Sequence, residues 1–451
     1  MEKQRSSFTG KIGFVLAAAG SAVGLGNLWR FPYLAAKYGG GIFLLVYIIL
    51  AITFGFTLMI AEISLGRKTG LSVVGAYKSL NKKFSFLGYL AALVPVIILP
   101  YYSVIGGWVL KYLYTFISGQ ASLSVSDNFF SGFIAQPIEP VGWFLLFLGV
   151  TALIVLMGVE KGIESVSKFM MPILAILAVF IAGYALFLPG ALEGVKYYLL
   201  PDFSKFSVTT VLAAMGQLFY SMSLAMGIMI TYGSYMKKDV NLESSVKQIE
   251  LFDTGIAFIA GLMIIPPVFS FSNGDPSALG QGPGLMFITL PKVFNSMPAG
   301  TFIGFAFFVL VLFAALTSSI SLMETVVSIV QDKFKINRTL TCIIVFAGCI
   351  IIGLPSCFGY SIWDTVTVLN MQLLDFFDFI SNSVMMPVIA LLTSIFVGYF
   401  IKPSAIIEEV EISGRFKQKK MFTVMIKYIA PICIILILLT SFLSIASILK
   451  I

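Results

Sequence analysis

The chain of 451 residues contains no histidine. Absent with it are the usual general base, the usual zinc ligand and the usual proton relay near neutral pH, which argues against an enzyme. Cysteine is scarce: Cys342, Cys349, Cys357 and Cys433 fall in or beside apolar stretches late in the chain. They have neither pairing nor metal-ligand spacing and read as small apolar side chains. Charge is scarce too. Only 11% of the residues are charged and 59% are apolar, with a mean hydropathy of +0.99. Soluble folded chains carry about a quarter charged residues, and a water-soluble core could not hide this much apolar surface. The chain is read as an integral membrane protein.

Eleven apolar spans, helices 1 to 11, are predicted near residues 12–36, 41–66, 86–118, 142–159, 165–188, 208–236, 247–271, 300–332, 337–356, 371–401 and 423–449. Each is near or above the roughly 20 residues that a bilayer requires. Lysine and arginine set the orientation. If the N-terminus is cytoplasmic, 22 of the 29 basic residues fall inside, among them Lys3, Arg5, Arg67, Lys68, Lys82, Lys83, Lys237, Lys238 and Arg415 to Lys420. The net charge of +8 is thus a topology signal, and a nucleic-acid partner has no support. An odd number of spans puts the C-terminus outside.

Two spans are interrupted. In GSAVGLGN, Gly20 to Asn27, three glycines fall within eight residues of helix 1. In MGQLFYSMSLAMGIMITYGSY, Ser221, Ser223 and Gly227 sit in the middle of helix 6. A broken span is tolerated only where protein buries it or where it lines a polar cavity. The two breaks correspond if helices 1–5 and 6–10 are two halves, and because five is odd the second half is inverted. Short, glycine-interrupted spans at matching places of such halves point to the central site of a transporter. Helix packing alone would account for Gly20 and Gly24, but not for Asn27 or the serines of helix 6.

GSAVGLGNLWRFPYL with glycines at 39–41, PDFS at 201–204, GQLFYSMSLAMG with YGSY at 232–235, GPGLMFITLPKVF at 282–294 and ALTSSISLME at 315–324 resemble the neurotransmitter:sodium symporters. The matches run from Arg5 to about Gly398, and the resemblance is to the eleven-helix bacterial carriers of tyrosine and other hydrophobic amino acids. It implies an all-α membrane fold of the leucine-transporter (LeuT) type. Residues 1–11 would form a cytoplasmic segment and 12–190 the first repeat. Residues 191–401 would form the second repeat, with an outer lid about 275–297, and 402–451 a solvated cytoplasmic loop and helix 11. The place would be the bacterial plasma membrane.

Unwound backbone offers carbonyls to cations, and half-helix N-termini offer N–H groups to anions. A zwitterion fits both. The resemblance implies that a substrate carboxylate meets the N–H groups of Leu25 and Gly26 and the Tyr102 hydroxyl. Its ammonium would meet the carbonyls of Ala22, Tyr220 and Ser221 with the Ser223 hydroxyl. Ser21 and Ser318 complete the polar set, and Leu25, Ile98, Tyr220, Met226 and Leu322 form an apolar wall. One sodium ion would take Ala22, Asn27, Ser221, Asp253 and the substrate carboxylate. A second would take Gly20, Val23, Ala314, Thr317 and Ser318; the hydroxyls of Thr317 and Ser318 could also simply bond back one turn.

Asp253 departs from the family pattern, in which asparagine is common here and a negative charge follows one turn later; that later position is Ala257. Asp253 is therefore expected to serve sodium without chloride. Gly24, where monoamine carriers place aspartate, implies a substrate that brings its own carboxylate. The outer gate would pair Arg30 with Asp375, Asp378 being the alternative, helped by Gln217 and Tyr101. The inner gate would pair Arg5 with Asp332 over Ser234 and Tyr235, with Phe8 where relatives carry tryptophan. Glu62 would accept hydrogen bonds from unwound helix 6, or else extend toward Arg67. A hydrophobic or aromatic L-amino acid is the favoured cargo. A sodium-coupled osmolyte or small-amine carrier, and a sensor that binds without transporting, remain alternatives on the same scaffold.

Overall fold

The structure, a computed structural model, describes residues 7–272, 274–275, 278–279 and 282–449, of which 441–449 by backbone alone. The described residues form helices and their connections, with no β-strand among them. Among these residues nine helices are long and apolar enough to cross a membrane. They are Gly41–Thr69, Lys82–Ile117, Glu139–Leu156, Val159–Leu186, Leu242–Phe271, Gly300–Phe334, Arg338–Phe358, Leu373–Phe400 and Lys419–Thr440, which are helices 2–5 and 7–11. Helix 1 makes a tenth as a bent pair, Lys11–Ala22 and Gly26–Lys37, meeting at 53°. The predicted sixth does not reach a span's length in one piece. Val208–Ser221 stops after 14 residues and Ile228–Gly233 resumes beyond the break.

Lipid and protein divide the faces. Ile49, Leu93, Leu153, Phe180 and Ile351 lie outward and exposed, as a fold surrounded by hydrocarbon requires. Helix 8 is central, with 78% of its most apolar stretch buried, whereas helices 4 and 11 are peripheral at 33%. Cys342, Cys349 and Cys357 are buried, Cys433 is half-buried, and all four are free thiols.

The second half of helix 6 lies backbone to backbone on helix 2. A Cβ at Gly66 would stand 1.8 Å from the Ile230 carbonyl oxygen, and one at Gly233 would stand 2.3 Å from that of Ile63. Small residues permit this closeness between membrane helices. Because the obstacle is backbone, Gly66→Ala has no side chain to push aside, and it is expected to destabilise the fold by about 1–3 kcal/mol. Thermal unfolding in detergent checks this; a parental midpoint would contradict it.

The stretch between helices 10 and 11 differs from its expectation as a solvated loop. Lys402–Glu411 is helical, and Ile406, Glu409, Val410 and Phe416 are buried. The reason is Arg67. Its Nε lies 2.8 Å from Glu409 Oε1, and its guanidinium also donates to the Glu409 and Val240 carbonyls. Lys238 reaches the same carboxylate at 2.7 Å. A buried guanidinium needs such partners, and among the described residues this loop supplies its carboxylate.

Candidate substrate and sodium site

Both breaks face the same interior point. In helix 1 regular winding stops at Ala22 and resumes at Gly26. In helix 6, Ser223, Ala225 and Gly227 have φ of 53°, 61° and 74°, the left-handed region that side chains other than glycine's rarely occupy. Such strain persists only when the surroundings hold it. One holder is Glu62 of helix 2, whose Oε1 accepts from the Ala225 N–H at 2.7 Å. The breaks also hold each other: Ser223 Oγ donates to the Ser21 carbonyl at 2.9 Å, and the two serine hydroxyls lie 3.1 Å apart.

Asp253 of helix 7 is fully buried beside them. Its Oδ1 accepts from Ser221 Oγ at 2.7 Å and from Asn27 Nδ2 at 2.8 Å. The Tyr47 hydroxyl lies 3.4 Å from Oδ2 and 3.3 Å from Ser221 Oγ. The Asn27 side-chain oxygen accepts from the Gly24 N–H at 3.2 Å. Among the described residues no lysine or arginine forms an ion pair with Asp253. Burying a carboxylate without a basic partner costs several kcal/mol unless a cation answers it; the carboxylate with the Ser221 and Tyr47 hydroxyls suits a hard cation, while Asn27 here turns its NH₂ group to Asp253 and its oxygen to Gly24.

A second concentration of oxygens surrounds Ser318 of helix 8. Its single hydroxyl lies 3.4, 3.1 and 3.4 Å from the carbonyls of Gly20, Ser21 and Val23. One donor cannot satisfy three converging acceptors, and that donor set again fits an alkali cation. Thr317 behaves differently: its hydroxyl bonds back to the Phe313 and Ala314 carbonyls at 2.9 and 3.2 Å.

Between the breaks lies a cavity of ≈ 30 Å³ lined by Ser21, Ala22, Gly24, Leu25, Gly26, Asn27, Ile98, Tyr102, Tyr220, Ser223, Met226, Ile228, Ser318 and Leu322. That is about the room of one water, so anything larger enters only as the walls draw back. The Tyr102 hydroxyl sits 3.4 Å from the Leu25 N–H. Tyr220 borders this cavity and also an outer chamber of ≈ 600 Å³. It therefore stands as the partition between them.

The outer chamber is lined by Arg30, Asp375 and Asp378, among others. The Arg30 guanidinium lies 5.3 Å over the Tyr220 ring. Asp378 Oδ1 accepts from the Tyr101 hydroxyl at 3.1 Å and from Asn382 Nδ2 at 2.7 Å. Asp375 lies beside Tyr360. One helical turn separates the two acids; both line the chamber with Arg30, and Asp378 is the one that takes the Tyr101 hydroxyl. Gln217 Nε2 donates to the Gly26 carbonyl at 3.0 Å, tying the two breaks from the outer side.

On the inner side, Arg5 lies outside the described residues. Its expected partner Asp332 accepts from the Ser72 N–H at 2.8 Å. Ser234 Oγ donates to the Thr231 carbonyl at 2.6 Å. Phe8 is buried edge-on against Phe14, Tyr232 and Tyr235. The Tyr235 hydroxyl donates to buried Glu324 at 2.7 Å, and Glu324 pairs with Arg338 at 2.5 Å. Tyr47, Asn382 and Glu324 escaped the sequence reading. Each sits on a membrane-spanning helix, and no local signal separates it from a satisfied core residue.

Comparison with known proteins agrees with this geometry. The profile of the Sodium:neurotransmitter symporter family matches residues 5–132 and 134–449, and the chain belongs to that family: it is a multi-pass, sodium-dependent membrane transporter, not an enzyme. It is 36% identical over 449 residues to an uncharacterized sodium-dependent transporter, YhdH, of Bacillus subtilis, covering 97% of this chain and 98% of that one. It is 28% identical over 420 residues to a sodium-dependent dopamine transporter of Caenorhabditis elegans, covering 78% and 68%. Its fold is similar to the crystal structure of MhsT in complex with L-phenylalanine, with a TM-score of 0.88, 38% identity and coverage of 97% and 100%. The LeuT-type fold follows.

Proposed function

We propose that the protein couples sodium entry to the import of a hydrophobic or aromatic L-amino acid by alternating access, without chloride. The observation that carries this reading is the fully buried Asp253, set among Asn27, Ser221 and Tyr47 beside two unwound backbones. Sodium at Ala22, Asn27, Ser221 and Asp253 would share the substrate's own carboxylate, which makes binding of one depend on the other. A second sodium would sit among the carbonyls of Gly20 and Val23 and the Ser318 hydroxyl, with Ala314 and Thr317 completing its shell once the Thr317 hydroxyl swings off its own helix. Leu25, Ile98, Met226 and Leu322 would receive the apolar side chain, methionine adapting to its shape. That the similar MhsT structure is a complex with L-phenylalanine supports this class of cargo.

Residues 12–190 and 191–401 act in this reading as inverted repeats, in the plasma membrane of a bacterium, with the N-terminus cytoplasmic and the C-terminus outside. Arg30 and Asp378 close the outer path, and Arg5, Asp332, Ser234 and Tyr235 the inner one. Exposed ion pairs hold for about 0–1 kcal/mol, weak enough to open in each cycle. A tenfold sodium gradient with 100 mV supplies roughly 7 kcal/mol for two ions, enough to concentrate a neutral substrate on the order of 10⁵-fold. The test is sodium-driven uptake by purified protein in liposomes, screened across the twenty amino acids and betaine, with and without chloride. Saturable uptake of an apolar amino acid in chloride-free buffer is the expected result. Binding without counterflow would make the protein a sensor, and preference for betaine would make it an osmolyte carrier.

A further inference from the structure

Glu164, at the start of helix 5, is buried although helix 5 is otherwise among the more exposed spans. It lies in a widened turn, Val159–Glu164, that follows Gly158. Its carboxylate does not serve its own helix alone. Oε2 accepts from the Thr9 N–H at 2.8 Å, Oε1 accepts from the Thr9 hydroxyl, and Lys168 one turn on pairs with Oε1 at 2.6 Å. Thr9 follows Phe8, the buried ring packed edge-on against Phe14, Tyr232 and Tyr235. From the other side, the Phe8 N–H donates to the Tyr235 carbonyl at 3.1 Å, and Lys237 reaches the Thr9 carbonyl at 3.1 Å. The Phe8–Thr9 segment is thus held between helix 6 and helix 5, where the Glu164 carboxylate takes both Thr9 donors and Lys168, paired with that carboxylate, also reaches the Thr9 hydroxyl at 3.3 Å.

Gly13, one turn into helix 1, sets the fit. A Cβ there would lie 2.1 Å from Glu164 Oε1, 2.2 Å from Cδ and 2.8 Å from Cγ, with no other residue among its nearest atoms. The carboxylate is wedged between the Thr9 backbone and the bare face of helix 1. Helix 1 then runs directly into Gly20, Ser21 and Val23 of the carbonyl cradle.

We propose that Glu164 is a positioning residue, the catch that holds the Phe8–Thr9 plug across the inner mouth, and that release of the cargo to the cytoplasm requires Thr9 to leave it. The plug's backbone donors are otherwise satisfied, so freeing Thr9 removes charge-assisted bonds without breaking helix 1. This rests on the alternating-access reading, but its test needs no uptake.

Amide hydrogen exchange of the Phe8 N–H in the full-length protein is the readout, because its acceptor, the Tyr235 carbonyl, is untouched by changes at Glu164. Glu164→Ala is expected to speed that exchange roughly tenfold, the equivalent of one lost charge-assisted hydrogen bond. Gly13→Ala should speed it similarly in the parent by driving the carboxylate away, and should do nothing further on the Glu164→Ala background. Simple structural damage would add instead. Exchange through helix 8 reports folding, and if Glu164→Ala does not fold, Glu164→Gln, which lacks the charge paired with Lys168, is read in the same way. A Phe8 amide at the parental rate in the folded variant, or a Gly13→Ala effect undiminished without the carboxylate, overturns the proposal. Loss of uptake in the parent would sink the transport reading while leaving these rates to be measured.

Discussion

Asp253→Asn is expected to lower sodium-driven uptake in chloride-free buffer by about 100-fold or more, the equivalent of some 3 kcal/mol of uncompensated buried charge. In the parent the carboxylate receives donors from Ser221, Asn27 and Tyr47, and it is the one fixed negative charge of the proposed first sodium site. An amide in its place keeps the shape and removes the charge. Its NH₂ group would face donors, and the sodium would face no anion but the substrate's carboxylate. Chloride near Ala257, one turn further along helix 7, could restore the balance, since Ala257 is fully buried and brings no charge of its own. Uptake should therefore vanish or come to depend on chloride. A variant with parental sodium affinity and no response to chloride would remove Asp253 from the coupling.

Tyr102→Phe tests the other end of the cargo. The hydroxyl stands beside the Leu25 N–H at 3.4 Å, and the pair marks where the substrate's carboxylate is proposed to lie. Losing one hydrogen bond to a charged group costs about 1.5–3 kcal/mol, so the dissociation constant in saturating sodium should rise roughly 10- to 100-fold. The corresponding decarboxylated amine, which cannot use the hydroxyl in this way, should bind weakly to parent and variant alike. Unchanged affinity for the amino acid would move the carboxylate elsewhere in the cavity. Because Tyr102 is almost fully buried, parental thermal stability of the variant is the control that separates binding from folding.

Much of this was legible along the chain because membrane solvation punishes exceptions. A glycine cluster with an asparagine in helix 1, serines in the middle of helix 6 and an aspartate in helix 7 each violate the rule for a lipid-facing helix, and all three meet at one site. What failed to show in sequence did so for the same physical reason in reverse. Tyr47 and Glu324 find their partners on other helices, and Glu164 binds Thr9 of the N-terminal segment as well as its own Lys168, so nothing near them in the chain announces those long-range contacts. The segment 402–418 looked solvated because it is charged, yet one of its acids answers a buried arginine 342 residues away.

Composition alone determined that the protein lives in a membrane, since apolar surface on this scale has no other solvent. The interrupted spans alone determined where the backbone must find partners outside its own helices. Only the folded arrangement decided which partners those are: Asp378 rather than Asp375 at the Tyr101 hydroxyl, Glu62 at the Ala225 N–H in the break of helix 6, and Glu164 at the Thr9 N–H. Acids one turn apart on a helix are equivalent in sequence, and they become distinct only when a neighbouring helix presents its hydroxyl or its N–H group to one of them.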